Sequence, residues 1–441
     1  MSKAGVILAA GAGTRMKSQL PKVLHKVAGL SLLGHVIAAL RGAGVDRIVV
    51  VTAPSGDEVR AYAKSLGAES VVQDRQLGTG HAARTAESAL AGFDGTLAIV
   101  NGDMPLVTPE VIQECLKAQG RTGLAMLAFQ AGNPAQYGRV LLTPDGFLNR
   151  IVEYKDASAP ERAVTLCNGG CYAVDAQKFF RWAAALKNEN AQKEFYLTDV
   201  PSIARGDGVK CAIALADEVS VLGVNSRAEL AQAEAKFQQR MRAQLLANGV
   251  GMTAPETVFF AYDTVAEADV EIEPFAVFGP GVVLRSGVRI RAFSHLEGAE
   301  VSSGAIIGPY ARLRPGARIG EEAHIGNFVE VKNSEIGKRA KANHLTYLGD
   351  AKVGARANIG AGTITCNYDG FTKAVTEIGE DAFIGSNTAL VAPVIVGAGA
   401  ITAAGSVITR NVAPDALAIA RGVLIEKPGW AKAFRDKKGK K

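Results

Sequence analysis

The stretch Leu8-Ala9-Ala10-Gly11-Ala12-Gly13-Thr14-Arg15-Met16, with Pro21-Lys22 behind it, sets small residues and two cations at the end of a short apolar run. That combination suits anion chemistry. Glycines let backbone N–H groups face a phosphate without an intervening side chain. Arg15 offers a planar fork of donors, and Lys22 a compact second charge. Asp103, in Asn101-Gly102-Asp103 directly after another apolar run, is placed to meet the same phosphates. The reading is a nucleoside triphosphate site, and the plainer alternative is a glycine turn with no function. Two other phosphate loops fail on the letters. A dinucleotide loop needs a third glycine where Met16 stands, and an acidic residue where Ser31, Leu32 and Leu33 stand. A Walker A loop needs Gly-Lys-Ser/Thr, which is absent.

A second set of chemically capable residues lies in a different kind of sequence. Beyond Gly249 aliphatic residues recur every six positions: Ile272, Phe278, Leu284, Ile290 and Leu296, then, after a one-residue slip, Val301, Ile307, Leu313, Ile319, Ile325 and Val331. The series falters, resumes at Val353 and Ile359, and runs again from Ile378 through Ile384, Leu390, Val396, Thr402 and Ile408. That period predicts a parallel β-helix with three hexads per turn. Small residues such as Gly279, Gly320, Gly326 and Gly385 are expected at its corners. Arg314 and Lys332 are eighteen residues apart in an unslipped stretch and would stack on adjacent turns. Strands about 4.8 Å apart bring two such cations side by side, which is unfavourable unless an anion bridges them or both splay into water. His344, beyond the point where the series falters, is either a structural hydrogen-bonder or a general base. Thr365 to Lys373 cannot continue the coil and must leave it as a loop, a frequent carrier of function.

The elements that position the first set alternate short β-branched runs (Arg47 to Thr52, Thr96 to Val100, Leu124 to Phe129) with helical stretches (Gly80 to Leu90, Pro109 to Ala118). This predicts an α/β domain with a mostly parallel sheet, whose ligands sit beyond the carboxyl ends of the strands. The expected organisation is a nucleotide-handling domain at 1–225, a linker helix at 226–248 and a β-helix domain at 249–441. Ser226 to Glu229 fits a capping box and Asn248-Gly249 a C-terminal cap.

At 441 residues the chain is long enough for two or three cores. Its net charge of +6 is matched by the segment Arg421 to Lys441, with eight basic and two acidic residues, so the body is neutral and nucleic acid is not an expected partner. The basic tail Lys437-Lys438-Gly439-Lys440-Lys441 reads as a solvated end. Cys115, Cys167, Cys171, Cys211 and Cys366 form no CxxC pair and read as reduced thiols. With no charged leader before the first apolar run and no uninterrupted apolar span, the expectation is a cytoplasmic protein without stable membrane insertion.

Over nearly its whole length the chain resembles the bacterial bifunctional family of N-acetylglucosamine-1-phosphate uridyltransferase / glucosamine-1-phosphate N-acetyltransferase. The likeness rests on the loop at 8–22, on Gln76 to Ala82, Gly102 to Leu106 and Gly223 to Asn225, and further on Arg312 to Gly316, Gly326 to Glu330, His344 to Asp350 and Asn358 to Asp369. It implies a Rossmann-like nucleotidyltransferase domain, then a left-handed β-helix. It also implies Mg²⁺, with UTP and acetyl-CoA as co-substrates. Glucosamine 1-phosphate would be acetylated and the resulting N-acetylglucosamine 1-phosphate uridylylated, feeding peptidoglycan and lipopolysaccharide precursors. On this likeness Leu8, Ala9, Ala10, Gly11, Gln73, Gly78 and Thr79 line the nucleotide pocket, Gly138, Glu153 and Asn168 hold the amino-sugar, and Asp103 and Asn225 bind the metal. Arg15 and Lys22 neutralise phosphate charge. Arg314, Lys332, Tyr347, Asn358 and Lys373 take glucosamine 1-phosphate, and His344 is the base. Ala361, Asn367, Tyr368, Ser386, Ala404 and Arg421 line the acetyl-CoA site, placed between subunits of a homotrimer. Asn101 departs from the aromatic residue expected of many relatives. A rival reading makes the β-helix a non-catalytic oligomerisation scaffold. A β-helix zinc enzyme is disfavoured because His295, His324 and His344 stand 29 and 20 residues apart.

Overall fold

Apolar runs such as Val6–Ile7 and Val49–Val51 are buried on both faces, as strands covered by helices on each side must be. In this computed structural model, which describes residues 2–439, they form one sheet ordered Lys210–Ala216, Gly123–Gln130, Leu166–Asp175, Thr96–Asn101, Lys3–Ala9, Arg47–Thr52, Glu69–Val72. Leu166–Asp175 runs antiparallel to both its neighbours, and the remaining adjacent pairs are parallel. A hairpin of Arg139–Leu142 and Leu148–Val152 joins beside Leu166–Asp175. From Lys3–Ala9 the chain first adds strands on one side and then crosses to Thr96–Asn101 on the other. The strand order therefore reverses between these two neighbours, which opens a crevice at their carboxyl ends. Helix starts follow local chemistry: the Ser31 hydroxyl accepts from the Gly34 N–H, and Thr108 caps a helix whose first residue is Pro109.

The helix Arg227–Ala247 begins at Ser226, whose hydroxyl accepts from the Glu229 N–H, while the Asn225 N–H donates to the Glu229 carboxylate. The chain divides into two units within this helix, between Arg240 and Met241.

The second unit is a parallel β-helix of three strand ladders. Register steps are 18 residues (Val265↔Val283) or 17 (Val283↔Glu300), and 25 where the loop after Cys366 is inserted (Ile364↔Ala389). The predicted aliphatic positions fill the interior. One expectation needs correction. The hexad series does not falter between Val331 and Val353: it slips by one residue to Ile336, continues inside the coil through Ala342 and Leu348, and slips by one again to reach Val353. The small alanine at 342 and the shortened steps hid it. The glycines expected at the corners stand where a Cβ would be crowded, although they do not take the left-handed conformation. Gly320 and Gly385 have no left-handed φ, but an added Cβ would lie 2.7 Å from the Ile336 carbonyl oxygen or 2.5 Å from that of Thr402 on the next turn. Left-handed corners fall to other residues, including Phe275, Phe293, Tyr310, Phe328 and Leu345. The first four of these stack in a ladder with centroids 4.9 to 5.3 Å apart, on the outside of the coil.

The four cysteines Cys115, Cys167, Cys171 and Cys211 are buried and Cys366 half-buried, all unpaired. No helix is long and apolar enough to cross a membrane among the described residues. A final helix, Trp430–Lys438, is exposed, and of the basic tail Lys440 and Lys441 lie outside the described residues.

Candidate active sites

The phosphate loop is built on one close approach. Gly13 sits at φ +61°, and a Cβ there would lie 2.8 Å from the Lys22 Cβ, so only glycine lets the loop fold against Lys22. Lys22 thereby reaches across to the end of the neighbouring strand, where its Nζ lies 2.5 Å from Asp103 Oδ2 and 3.0 Å from Asn225 Oδ1. The Gly102 N–H donates to the Leu8 carbonyl, tying the two strand ends together.

Two cavities meet at Thr79, Asn101 and Asp103. One, of about 420 Å³, is lined by Leu8 to Ala12, Lys22, Gln73, Gly78 and their neighbours. The other, of about 410 Å³, takes in Arg15, Gly138, Glu153, Asn168 and Asn225. Every residue singled out for the first site thus borders one cavity or the other. Gln73 is buried, with its amide donating to the Gly78 carbonyl at 3.2 Å and lying 2.9 Å from His81 Nδ1. Glu153 accepts from the Thr198 hydroxyl at 3.1 Å. Burial raises its carboxyl above the ordinary range, the Thr198 bond opposes this, and Asp156, Asp199 and Glu194 add to it. A Cβ on Gly138 would lie 3.1 Å from Ile151 and 3.5 Å from Glu153 Oε1, so that position holds the second cavity open.

Asp103 and Asn225 point a carboxylate and an amide oxygen at a single cationic atom. That donor pair fits Mg²⁺, which keeps several waters and takes phosphate oxygens as further ligands. Among the described residues no cluster of three or more His, Cys, Asp and Glu forms a closed metal cage.

In the β-helix, Leu313 pairs with Val331 and the Arg314 N–H donates to the Val331 carbonyl, which sets Arg314 over Lys332. The stacked pair is not bare. Glu330 takes the Arg314 guanidinium at 2.7 Å, and this contact, which raises the Arg314 pKa, is the main influence on it. Lys373, at the end of the inserted loop, lies against Lys332 and is the principal cause of that amine's lowered pKa, with Arg314 contributing. Tyr347 stacks on Glu330. The loop leaves the coil at Asn367 and not at Thr365 as expected, because Thr365 and Cys366 still pair with Leu390 and Val391 in the coil; the Asn367 carbonyl closes the loop by accepting from the Ala374 N–H, while Asp369 caps its turn. Asp350 anchors the loop's base: its carboxylate accepts from the Asn333 amide at 2.6 Å and from that of Asn367. Burial would push the Asp350 carboxyl up, but the two amides, then Lys373 and Lys332, hold it below the ordinary range.

His344 stands at a corner, its Nδ1 2.7 Å from Asn327 Oδ1 on the preceding turn. Asn358 lies one turn further, stacked on Lys341, and does not join the cation group by any hydrogen bond among the described residues. Ala361, Ser386 and Ala404 occupy equivalent corners of successive turns. The Asn387 N–H donates to Ala361, the Gly405 N–H to Ser386, and the Arg421 guanidinium to Ala404 at 2.9 Å. Tyr368 is exposed on the loop. Glu330, Asn327 and Asp350 were not singled out from the sequence. Their signal is the 17-residue step that Asn327 and Asp350 make to His344 and Asn367, legible only once the slipped turns are followed.

A carboxyl-edge crevice with paired cations, followed by a hexapeptide coil with a histidine at its corner, defines a nucleotidyltransferase domain joined to a second transferase domain. Residues 5–166 match the model of the MobA-like NTP transferase domain, and 298–333 and 376–410 that of the bacterial transferase hexapeptide (six repeats). Proteins named bifunctional protein GlmU match across the chain. That of Sphingopyxis alaskensis is 53% identical over 99% of this chain and 97% of its own. The protein of Zymomonas mobilis is 51% identical over 99% and 98%, and that of Rhodospirillum rubrum 55% over 98% and 97%. The chain belongs to the bifunctional GlmU family. It is an enzyme that joins uridylyl transfer to N-acetylation, and the scaffold alternative is not favoured.

Proposed function

We propose that the β-helix acetylates the amine of glucosamine 1-phosphate with acetyl-CoA, and that the N-terminal domain then joins the product to UTP. The observation that carries this reading is the presence of both anion sites in one chain: Lys22 with Asp103 and Asn225, and Arg314 with Lys332 and Lys373.

In the first reaction the sugar phosphate is held by Arg314, Lys332 and Lys373, with Tyr347 and Asn358 on the sugar. The attacking amine needs a lone pair, which an ammonium lacks, so His344 takes the ammonium proton before the C–N bond forms. The thioester C–S bond breaks, the nitrogen gives up a further proton to become the amide, and that proton passes to the departing thiolate, so coenzyme A leaves as its thiol. The corner stripe at Ala361, Ser386 and Ala404, with Asn367, Tyr368 and Arg421 beside it, receives the coenzyme.

In the second reaction the sugar phosphate is itself an anionic nucleophile. Its oxygen attacks the α-phosphorus of UTP and the bond to pyrophosphate breaks, so no protein base is required. Gln73, Gly78 and Thr79 take the uracil, while Gly138, Glu153 and Asn168 orient the sugar. Arg15 and Lys22 neutralise phosphate charge. Asp103 and Asn225 would hold Mg²⁺, which would add to the neutralisation of the triphosphate.

The assembly is a homotrimer in the cytoplasm. The apolar run Val423, Leu424 and Ile425 is 79 to 90% exposed in the single chain, and the aromatic ladder is about half exposed; both are surfaces a second copy would cover. The test is product analysis by mass spectrometry after incubation with glucosamine 1-phosphate, acetyl-CoA, UTP and Mg²⁺, each omitted in turn. UDP-N-acetylglucosamine only from the complete mixture, with N-acetylglucosamine 1-phosphate accumulating without UTP, is expected. Product only from supplied N-acetylglucosamine 1-phosphate would return the β-helix to a scaffold.

A further inference from the structure

We infer that Asn327 is the positioning residue for acetyl transfer, fixing His344 in the tautomer and orientation that lets its Nε2 act as the base. The inference rests on the reading of His344 given above.

The geometry begins with the backbone. Gly326 faces the next turn so closely that a Cβ would lie 2.0 Å from the Asn343 carbonyl oxygen. The strands His324–Lys332 and Lys341–Gly349 therefore meet with no side chain between them at that point, and pair Asn327 with His344 in register. Both strands run through the same corner, where Phe328 and Leu345 take left-handed φ of 56° and 49°. The rungs are thus locked on each side of the pair.

The chemistry follows from atom types. An amide oxygen only accepts, so its 2.7 Å contact requires the proton on Nδ1. In the neutral ring the lone pair is then on Nε2, free for the amine. A carboxylate in the same place would stabilise the imidazolium, which is the form unable to take a proton. The neutral amide orients the ring without adding that charge. Charged and titratable neighbours on the two strands are His324, Glu330, Lys332, Lys341 and Tyr347, and on the following turn Cys366. Burial, then Arg291, Lys341 and His344, hold the His324 pKa below its ordinary value.

The test uses the full chain with Asn327→Leu, Asn327→Asp and His344→Ala, assayed for both activities across pH. For Asn327→Leu the expected result is a kcat for acetyl transfer lowered about 10- to 100-fold, with both KM values within about twofold. Uridylyl transfer should not change. Asn327→Asp, which differs by one atom group and keeps the acceptor, should retain more of kcat and move the acid limb of kcat/KM up by about one pH unit. A merely structural role would not move that limb. If Asn327→Leu keeps wild-type kcat, or Asn327→Asp leaves the limb in place, while His344→Ala is inactive, the positioning role is wrong and the base assignment stands. Wild-type acetyl transfer in His344→Ala would overturn both.

Discussion

Gly326→Ala tests whether Asn327 and His344, the proposed acetyl-transfer dyad, are held by backbone contact. The added methyl would meet three backbone atoms of Asn343: the oxygen at 2.0 Å, the carbonyl carbon at 2.7 Å and the Cα at 2.8 Å. None of these is a flexible tip that could swing aside. The turns must separate by more than an ångström locally, and over-packing of this kind costs about 1–3 kcal/mol. The same displacement pulls Asn327 from His344, and a misplacement of about 1 Å in a catalytic arrangement can cost about 100-fold in rate. The assay is urea unfolding followed in parallel with the two activities. Acetyl transfer should fall about 100-fold and the β-helix transition should move to lower urea. Uridylyl transfer, which uses residues of the other unit, should persist. Wild-type stability with wild-type acetyl transfer would refute the close contact and the argument built on it.

Glu330→Gln should raise the KM for glucosamine 1-phosphate several-fold with less change in kcat, because the Arg314 guanidinium loses the carboxylate that holds it at 2.7 Å. Initial rates at varied substrate check this. Chelation of divalent cations should abolish uridylyl transfer and leave acetyl transfer intact, since only the Asp103–Asn225 pair is read as a metal site; loss of both activities would contradict it. Acidification should destabilise the N-terminal unit through His35. Burial lowers the pKa of this histidine below 6.5, outweighing its bond to the Val27 carbonyl, so the unfolded chain binds the proton more readily. The His35 contribution is full above the unfolded pKa and is lost as pH falls through it. Urea midpoints at pH 7.5 and 5.5 should diverge less in His35→Gln than in the wild type. If the acetyl-transfer site spans subunits, coexpressed His344→Ala and Lys332→Ala chains should recover activity that neither has alone; no recovery in verified mixed trimers would place the site within one chain.

What the sequence made legible follows the range of the forces involved. The six-residue period declared the β-helix because interior positions of a narrow coil select small or apolar side chains, and each hexad states this independently. The phosphate loop was legible for a comparable reason: Gly13 and Lys22 are nine residues apart with their exchange of space written locally, and the crevice at Ala9 and Asn101 follows from strand alternation. What stayed hidden depends on register. One skipped residue moves every outward side chain of a turn, so the stacking of Arg314 on Lys332 could be counted while that of Asn327 on His344, across the 17-residue step, could not. The same limit explains why Arg314 read as a bare cation. Glu330 reaches it only because Arg312 and Glu330 are paired, which puts their neighbours within side-chain reach. The proposed anion site is thus specified twice, by its cations and by the carboxylates behind them, Glu330 on the Arg314 guanidinium and Asp350 at the base of the loop that carries Lys373, and only the first layer is visible without the turn-by-turn register.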